Sequence, residues 1–164
     1  MANDPTQERV KELLHYDPDT GLFTWLVDRM NSKAGDVAGP KDGKGYPSVS
    51  LDGKTCGLHR LAVIYMSGQI TKPWVDHKDG DPSNNRWNNL REATRRENRT
   101  NSRMRSDCKS GKKGATLLKN GRFLAQITLN GKAEYIGKFD TAEEAHQAYL
   151  KAANDAFGEF ARAG

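Results

Sequence analysis

The polar segment from Val75 to Asn101 holds the side-chain types that could do chemistry. Asp76 and His77 stand side by side after a short apolar run, and a stretch rich in Asp, Asn and Gly follows. Carboxylate and amide oxygens suit Mg²⁺, which keeps several waters and bridges to phosphate. A histidine beside such an ion can take a proton from water, and the ion can stabilise the leaving oxygen of a phosphodiester. The segment therefore contains the groups that phosphodiester hydrolysis needs.

The elements predicted around this segment would position those groups. The pattern predicts a short strand over Trp74–His77 and a polar loop over Lys78–Asn89, whose Asn and Asp side chains can bond their own backbone. Thr94-Arg95-Arg96-Glu97 fits a capping box, so a helix should follow and continue to about Arg105. The strand would deliver the carboxylate and the imidazole, and the helix would present the amide of Asn98 one turn after its start.

The positive charge of the chain is concentrated next to this segment. The chain of 164 residues has a net charge of +5, and the stretch from Arg91 to Arg122 alone holds eleven basic and three acidic residues, a net charge of +8. A basic block of this kind favours a polyanionic partner, with nucleic acid first. The alternatives are a solvated helix face or a flexible basic linker.

Residues Asp76-His77 to Asn101, preceded by His59-Arg60-Leu61-Ala62, closely resemble the HNH endonucleases of phages, including the homing type. The resemblance implies an α+β chain containing the ββα-metal fold, in which a hairpin and a helix clamp one divalent ion. It implies that His77 is the general base and that Asn89 is the catalytic asparagine that braces the loop and orients the base.

The resemblance also implies that Asp76 and Asn98 are the metal ligands. Asn98 is histidine in many members of the family, and the amide favours Mg²⁺ over Zn²⁺, with Mn²⁺ as an alternative. Asp79 and Asp81 are either further metal ligands or turn residues, and Asn101 is a rival to Asn98 on the same helix face.

His59 has two interpretations in the sequence. It could orient a substrate phosphate, or it could be a packed or capping histidine on a short apolar helix over Leu58–Met66. The second interpretation is the one that the residue pattern favours.

The N-terminal part is predicted to be a small α+β segment. A helix should start at Asp4-Pro5-Thr6-Gln7, with Asp4 as cap, and Leu14 should belong to its apolar stripe. Strands are predicted over Leu22–Val27 and Tyr46–Leu51, with a hairpin turn at Asp52-Gly53. We predict an N-terminal segment and nuclease domain over residues 1–105 (motif 58–101), a basic linker over 106–113 and a second domain over 114–164.

The C-terminal domain is predicted to hold three antiparallel strands and one packed helix. The strands are expected at 115–118, 123–129 and 134–139, and a second capping box at Thr141–Glu144 starts the helix. Gly121-Arg122-Phe123 to Ile127, Tyr135-Ile136-Gly137 and the alanine-rich helix resemble the APETALA2-type DNA-binding domain. The resemblance implies that the sheet enters the major groove, although Thr116 and Thr128 stand where the plant members have arginine.

Two groups of residues are expected to contact DNA. The nuclease helix should hold phosphates with Arg95, Arg96, Arg99, Arg103 and Arg105. The C-terminal domain should contribute Lys119 and Lys132 to phosphates, with Arg122, Gln126, Thr128 and Tyr135 facing the groove.

The sequence therefore predicts a metal-dependent DNA endonuclease that the C-terminal domain targets to double-stranded DNA. The alternative is a sequence-specific DNA-binding regulator whose nuclease centre has decayed. No run approaches the ~18 apolar residues of a membrane span, no signal peptide pattern is present, and two cysteines are too few for a disulfide framework. We expect a phage protein of the bacterial cytoplasm, monomeric unless double-strand cleavage requires a dimer.

Overall fold

A computed structural model describes residues 4–39, 45–100, 110–129 and 131–161. The chain divides into two compact units, Met1–Arg95 and Arg96–Gly164. The first unit is a mixture of short helices and strand pairs, and the second contains a sheet with one long helix. This division falls before the predicted linker, of which residues 106–109 lie outside the described residues.

In its described residues, the first unit contains two α-helices, a short 3-10 helix (Trp87–Asn89) and three antiparallel strand pairs. The pairs are β1 with β2, β3 with β4 and β5 with β6. In chain order the elements are α1 (Gln7–Leu13), β1 (Leu14–Tyr16), β2 (Phe23–Trp25), β3 (Ser48–Leu51), β4 (Lys54–Gly57), α2 (Leu58–Ser67), β5 (Trp74–His77) and β6 (Leu90–Ala93).

The predicted helix start at Asp4 is wrong by two residues. Thr6 is the cap, because its side-chain oxygen accepts a hydrogen bond from the backbone N–H of Arg9 at 3.2 Å. Asp4 instead forms an ion pair with Arg60, 2.5 Å apart. Leu14, assigned to the helix stripe from its spacing, is the first residue of β1 and is fully buried there.

The turn between β3 and β4 agrees with the sequence. Asp52 has φ 47° and Gly53 has φ 78°, which is the pair of positive φ angles that a two-residue hairpin of type I′ requires. The predicted strand over Leu22–Val27 is also present, shortened to β2. The strand β6 was not predicted, because its Leu-Arg-Glu-Ala sequence has weak strand propensity. It forms by pairing with β5, where Asp76 faces Arg91 across the ladder.

The core of the first unit lies around β1, β2 and α2. Tyr16 and Phe23 stack at 4.6 Å between ring centroids, and both are almost completely buried. Leu61 and Ile64 of α2 are buried in the same cluster. Val75 of β5 belongs to the same cluster, so this core also supports the strand that carries Asp76 and His77. Within the described ranges, no helix is long and apolar enough to cross a membrane.

The second unit has the three strands and packed helix that the sequence predicts. The sheet has the order β7-β8-β9, with both pairings antiparallel. Ala125 of β8 and Ala145 of the long helix are fully buried in one hydrophobic cluster. Their small side chains allow the sheet and the helix to approach closely. The elements are α3 (Arg95–Thr100), β7 (Ala115–Leu117), β8 (Phe123–Leu129), β9 (Lys132–Phe139) and α4 (Ala142–Phe157).

Two local features hold α4 in place. Thr141 and Glu144 form the predicted capping box, with both reciprocal hydrogen bonds present. Gly114, before β7, has φ +77°, and a Cβ there would lie 2.1 Å from the ring of Tyr149 on α4. Only glycine therefore allows the chain to enter β7 beneath this ring.

Candidate active site

The candidate site is built on the end of β5 and on the loop of residues 78–89, hereafter the site loop. Asp76 and His77 are 6% and 5% exposed, so the strand delivers both predicted side chains into the protein. Oδ2 of Asp76 accepts hydrogen bonds from Nε of Arg91 at 3.0 Å and from Nη2 at 2.9 Å. A guanidinium on the partner strand thus neutralises the predicted metal ligand.

His77 is held by an asparagine of the site loop. Nε2 of His77 lies 3.0 Å from Oδ1 of Asn85, a residue that is 3% exposed. An amide oxygen only accepts hydrogen bonds, so this contact places the proton of the neutral imidazole on Nε2. The lone pair then resides on Nδ1, which is the nitrogen able to take a proton from water.

Asn89 fixes the shape of the site loop. Its Oδ1 accepts from the backbone N–H of Asp79 at 3.1 Å, and its Nδ2 donates to the Asp79 carboxylate at 3.0 Å and to the Asn84 carbonyl at 2.8 Å. These contacts are those of a residue that braces the loop, as the resemblance implies for Asn89. The side chain that accepts a hydrogen bond from the imidazole of His77 is that of Asn85. The sequence offers several asparagines in this loop and no spacing rule that ranks them.

The side chain of Asp79 also stabilises the shape of the site loop. Burial raises the pKa of its carboxyl, but hydrogen bonds from the Asp81 N–H and from the amides of Asn84 and Asn89 outweigh it and hold the pKa below the ordinary value. The Asp81 carboxylate accepts from the backbone N–H of Ser83 at 2.9 Å. Both contacts are those of turn residues.

Residues of β1 and of the turn that follows it support the backbone of the site loop. The hydroxyl of Tyr16 donates to the backbone carbonyl of Asn85 at 2.7 Å, and the N–H of Trp87 donates to the carbonyl of Pro18 at 3.0 Å. A Cβ on Gly21, which has φ +75°, would lie 2.5 Å from the Asn85 carbonyl carbon. The glycine is therefore required where the turn between β1 and β2 meets the loop.

Two more aromatic rings adjoin His77. The centroid of the His59 ring lies 5.3 Å from that of His77 and 5.9 Å from that of Tyr46, and Tyr46 lies 6.4 Å from His77. We call these three residues the ring cluster. Tyr46 is 42% exposed, so the cluster extends from the buried imidazole of His77 to the surface.

The predicted metal ligands lie in different units. Asp76 lies on β5 in the first unit, and Asn98 lies on α3 in the second, where it is partly buried. One carboxylate and one amide are hard oxygen donors, which suit an ion that fills its other positions with water and phosphate. Among the described residues, no group of three or more His, Cys, Asp or Glu is arranged to hold a metal ion.

The predicted phosphate-binding arginines of α3 are described in part. Arg95 is exposed, and Cζ of Arg96 lies 5.1 Å from the ring centroid of Phe157 on α4, a distance typical of a cation–π contact. The side chain of Arg99 lies outside the described residues, as do Arg103 and Arg105, the rival ligand Asn101 and the predicted end of the helix.

The sheet of the second unit presents one polar face. Gln126 and Thr128 are exposed on β8, while Ala125 and Ile127 between them are buried, and Gln126 pairs across the ladder with Tyr135, which is 67% exposed. The other predicted DNA-contacting residues of this unit, Lys119, Arg122 and Lys132, are also exposed. Arg122 forms an ion pair with Asp140 at 2.9 Å.

Residues 56–100 match the family model described as HNH endonuclease. The matched segment contains α2, the pair β5–β6 and the whole site loop, so the family match and the geometry above coincide. Residues 56–100 are therefore similar to this family, in agreement with the resemblance predicted from Asp76 to Asn101.

The chain is also similar to one viral protein and to one protein of known structure. A protein of Acanthamoeba polyphaga mimivirus, named an uncharacterized HNH endonuclease (L560), is 36% identical over 119 residues, which are 71% of this chain and 61% of that protein. This chain thus spans less than two thirds of that relative. A structure described as DNA binding and cleavage by the HNH homing endonuclease I-HmuI shares 23% identity and a TM-score of 0.42, covering 89% of this chain and 78% of that one. A TM-score of this size does not establish a common fold.

Proposed function

We propose that this protein is a metal-dependent DNA endonuclease that hydrolyses phosphodiester bonds. The observation that carries the proposal is the hydrogen bond between His77 and Asn85, which prepares a histidine base within the segment that matches the HNH family. The activity is a proposal for the whole protein, since the chain spans only part of its relative.

His77 acts as the general base. With the proton on Nε2 held by Asn85, Nδ1 takes a proton from the attacking water as the new P–O bond forms. The P–O bond to the leaving sugar oxygen breaks, and that oxygen takes a proton from solvent. Burial of the ring and bracing of the loop by Asn89 keep this nitrogen in one orientation, and orientation supplies much of the rate gain. The base is therefore ready before DNA binds.

Asp76 is the ligand that the first unit would offer to the divalent ion, most simply Mg²⁺ with Mn²⁺ as an alternative. Asn98 is the second ligand that the family resemblance implies. The ion supplies charge stabilisation at the phosphate and at the leaving oxygen when it is bound. Arg91 keeps the Asp76 carboxylate buried and oriented through two hydrogen bonds to one oxygen. The two donor types, a carboxylate and an amide, fit such an ion.

The second unit binds double-stranded DNA with its polar sheet face in this proposal. Gln126, Thr128 and Tyr135 are exposed and adjacent, as a groove-facing surface requires, and Lys132 is exposed at the end of β9. Replacing Lys132 by Gln should weaken binding of all duplexes and reduce the salt slope of log Kd by about 1. An unchanged slope, matching that of the control Lys33→Gln in the first unit, contradicts the DNA-facing assignment.

The proposed reaction is tested with supercoiled plasmid. We expect conversion to nicked or linear DNA in Mg²⁺ or Mn²⁺ and none in EDTA. Mapping the cleaved ends on phage or host genomic DNA then gives the recognition site and shows whether one strand or both are cut. Absence of cleavage with every DNA and metal tried contradicts the proposal.

The second candidate is a DNA-binding regulator with a decayed nuclease centre. The ion pair between Asp76 and Arg91 favours it, because the carboxylate already has a cationic partner. This candidate predicts specific DNA binding that is the same in Mg²⁺ and in EDTA, with no cleavage. The endonuclease predicts cleavage that requires the ion.

A further inference from the structure

His59 is a histidine of the family segment that the mechanism above does not use. Its Nδ1 is buried and has no hydrogen-bond partner, and it is the only such side-chain atom in the part of the chain that the structure describes. A buried polar atom without a partner carries a cost and needs an explanation. Its position supplies one, because the ring lies 5.3 Å from that of His77, the proposed base.

A capping role does not explain His59. The helix α2 begins after Gly57, and no side chain caps it. The backbone of Gly57 lies against the imidazole, where an added Cβ would be 2.7 Å from Cε1 of His59. Main-chain packing therefore fixes the ring in the ring cluster without giving its nitrogen a partner.

The unpartnered, buried Nδ1 of His59 indicates which ring nitrogen holds the proton. The tautomer with the lone pair on Nδ1 and the proton on Nε2 avoids the cost of a buried N–H without an acceptor. Burial, reinforced by the nearby charges of His77 and Arg60, lowers the pKa of His59 to about 4. The ring is thus neutral at pH 7 and offers one N–H donor, and the side chain is partly exposed.

We propose that His59 is a second imidazole of the active site and that it donates a hydrogen bond from Nε2–H to a non-bridging oxygen of the scissile phosphate. The proposal rests on the proposed nuclease function. A phosphate beside His77 lies within reach of a ring that packs on His77, and a neutral donor adds no repulsion when the base becomes protonated. Tyr46, the exposed member of the ring cluster, connects the cluster to the protein surface.

Two variants of the full-length protein separate donation from packing. His59→Phe keeps an aromatic ring and removes both nitrogens, whereas His59→Gln keeps an N–H near the position of Nε2. We expect His59→Phe to lower kcat for plasmid nicking about 10²-fold with unchanged Kd for DNA, and His59→Gln to recover most of that loss. The matched control is His15→Phe, an exposed histidine on β1, which should leave kcat unchanged.

Wild-type nicking by His59→Phe would show that the ring only packs and would overturn the proposal. So would a folded His59→Gln variant that is as slow as His59→Phe. Circular dichroism and thermal unfolding check that each variant is folded.

A measurement without cleavage separates this proposal from the proposed function. The ¹⁵N chemical shifts of the histidine side chains are recorded in EDTA, with and without a short DNA duplex. We expect His59 in the Nε2–H tautomer, with its Nε2 signal moving on DNA addition and that of His15 staying in place. An active enzyme in which this signal does not move overturns the His59 proposal alone, and a moving signal without any nicking overturns the nuclease function alone.

Discussion

Breaking the buried ion pair of Asp76 and Arg91 should lower the free energy of unfolding by an amount that can be estimated from the structure. The side chains are 8% and 9% exposed, and two hydrogen bonds of 3.0 and 2.9 Å join them. Arg91→Met keeps most of the aliphatic stem and removes the charge. The buried carboxylate of Asp76 then loses its cationic partner, and removing one partner of such a buried pair costs about 3–5 kcal/mol.

This loss is large compared with the total stability of a small unit. Domains of this size are stable by about 5–15 kcal/mol, and 1 kcal/mol moves Tm by roughly 4–8 °C, so Tm should fall by about 12 °C or more. The free energy of unfolding is measured by urea denaturation at pH 7 in EDTA. Lys33→Met, which breaks the exposed pair of Lys33 and Asp28, is the control and should leave Tm unchanged.

Two further measurements identify the cause. The double variant with Asp76→Asn and Arg91→Met should be more stable than Arg91→Met alone, because no unpaired charge remains. If Asp76 is a metal ligand, Mg²⁺ or Mn²⁺ should raise the Tm of Arg91→Met by more than that of the wild type. An Arg91→Met protein as stable as the Lys33→Met control would refute the argument from burial.

Three other perturbations test the positioning of the base. Asn85→Leu removes the acceptor at Nε2 of His77 and should lower kcat at least about tenfold with little change in Kd for DNA; an unchanged kcat would show that Asn85 does not orient the base. Gly21→Ala forces the turn away from the Asn85 backbone, so it should cost about 1–3 kcal/mol of stability and lower kcat. Wild-type stability and wild-type kcat would show that the turn at Gly21 does not support the site loop. Because the pKa of His59 is lowered from 6.5 to about 4, its contribution to stability is complete above pH 6.5 and is lost as the pH falls towards 4, by up to about 1.4 kcal/mol per pH unit. His59→Phe should flatten this pH dependence of the urea midpoint, and an equal slope in both proteins contradicts the lowered pKa.

Local sequence signals predicted most elements of the fold. The capping box at Thr141, the turn at Asp52-Gly53 and the three strands of the second unit are all encoded by neighbouring residues, and each is present. The strand β6 and the position of Leu14 were missed, because tertiary pairing decides both against their local propensity.

The contacts of the candidate site were less predictable than its residue types. Asp76 and His77 are adjacent in sequence, so one strand was enough to deliver them. The partners Asn85 and Arg91 depend on how the site loop closes and on the strand register, which no local pattern specifies. The unpartnered nitrogen of His59 depends on main-chain packing against its ring, and the sequence carries no signal of it.

Single-turnover cleavage of supercoiled plasmid by wild type and by His77→Ala tests the central claim most directly. Both proteins are brought to the same fraction of bound DNA in EDTA, and Mg²⁺ starts the reaction. We predict that the wild type nicks the plasmid, while His77→Ala binds it equally well and cleaves at least about 10²-fold more slowly. Cleavage by His77→Ala at the wild-type rate would contradict the assignment of His77 as the base.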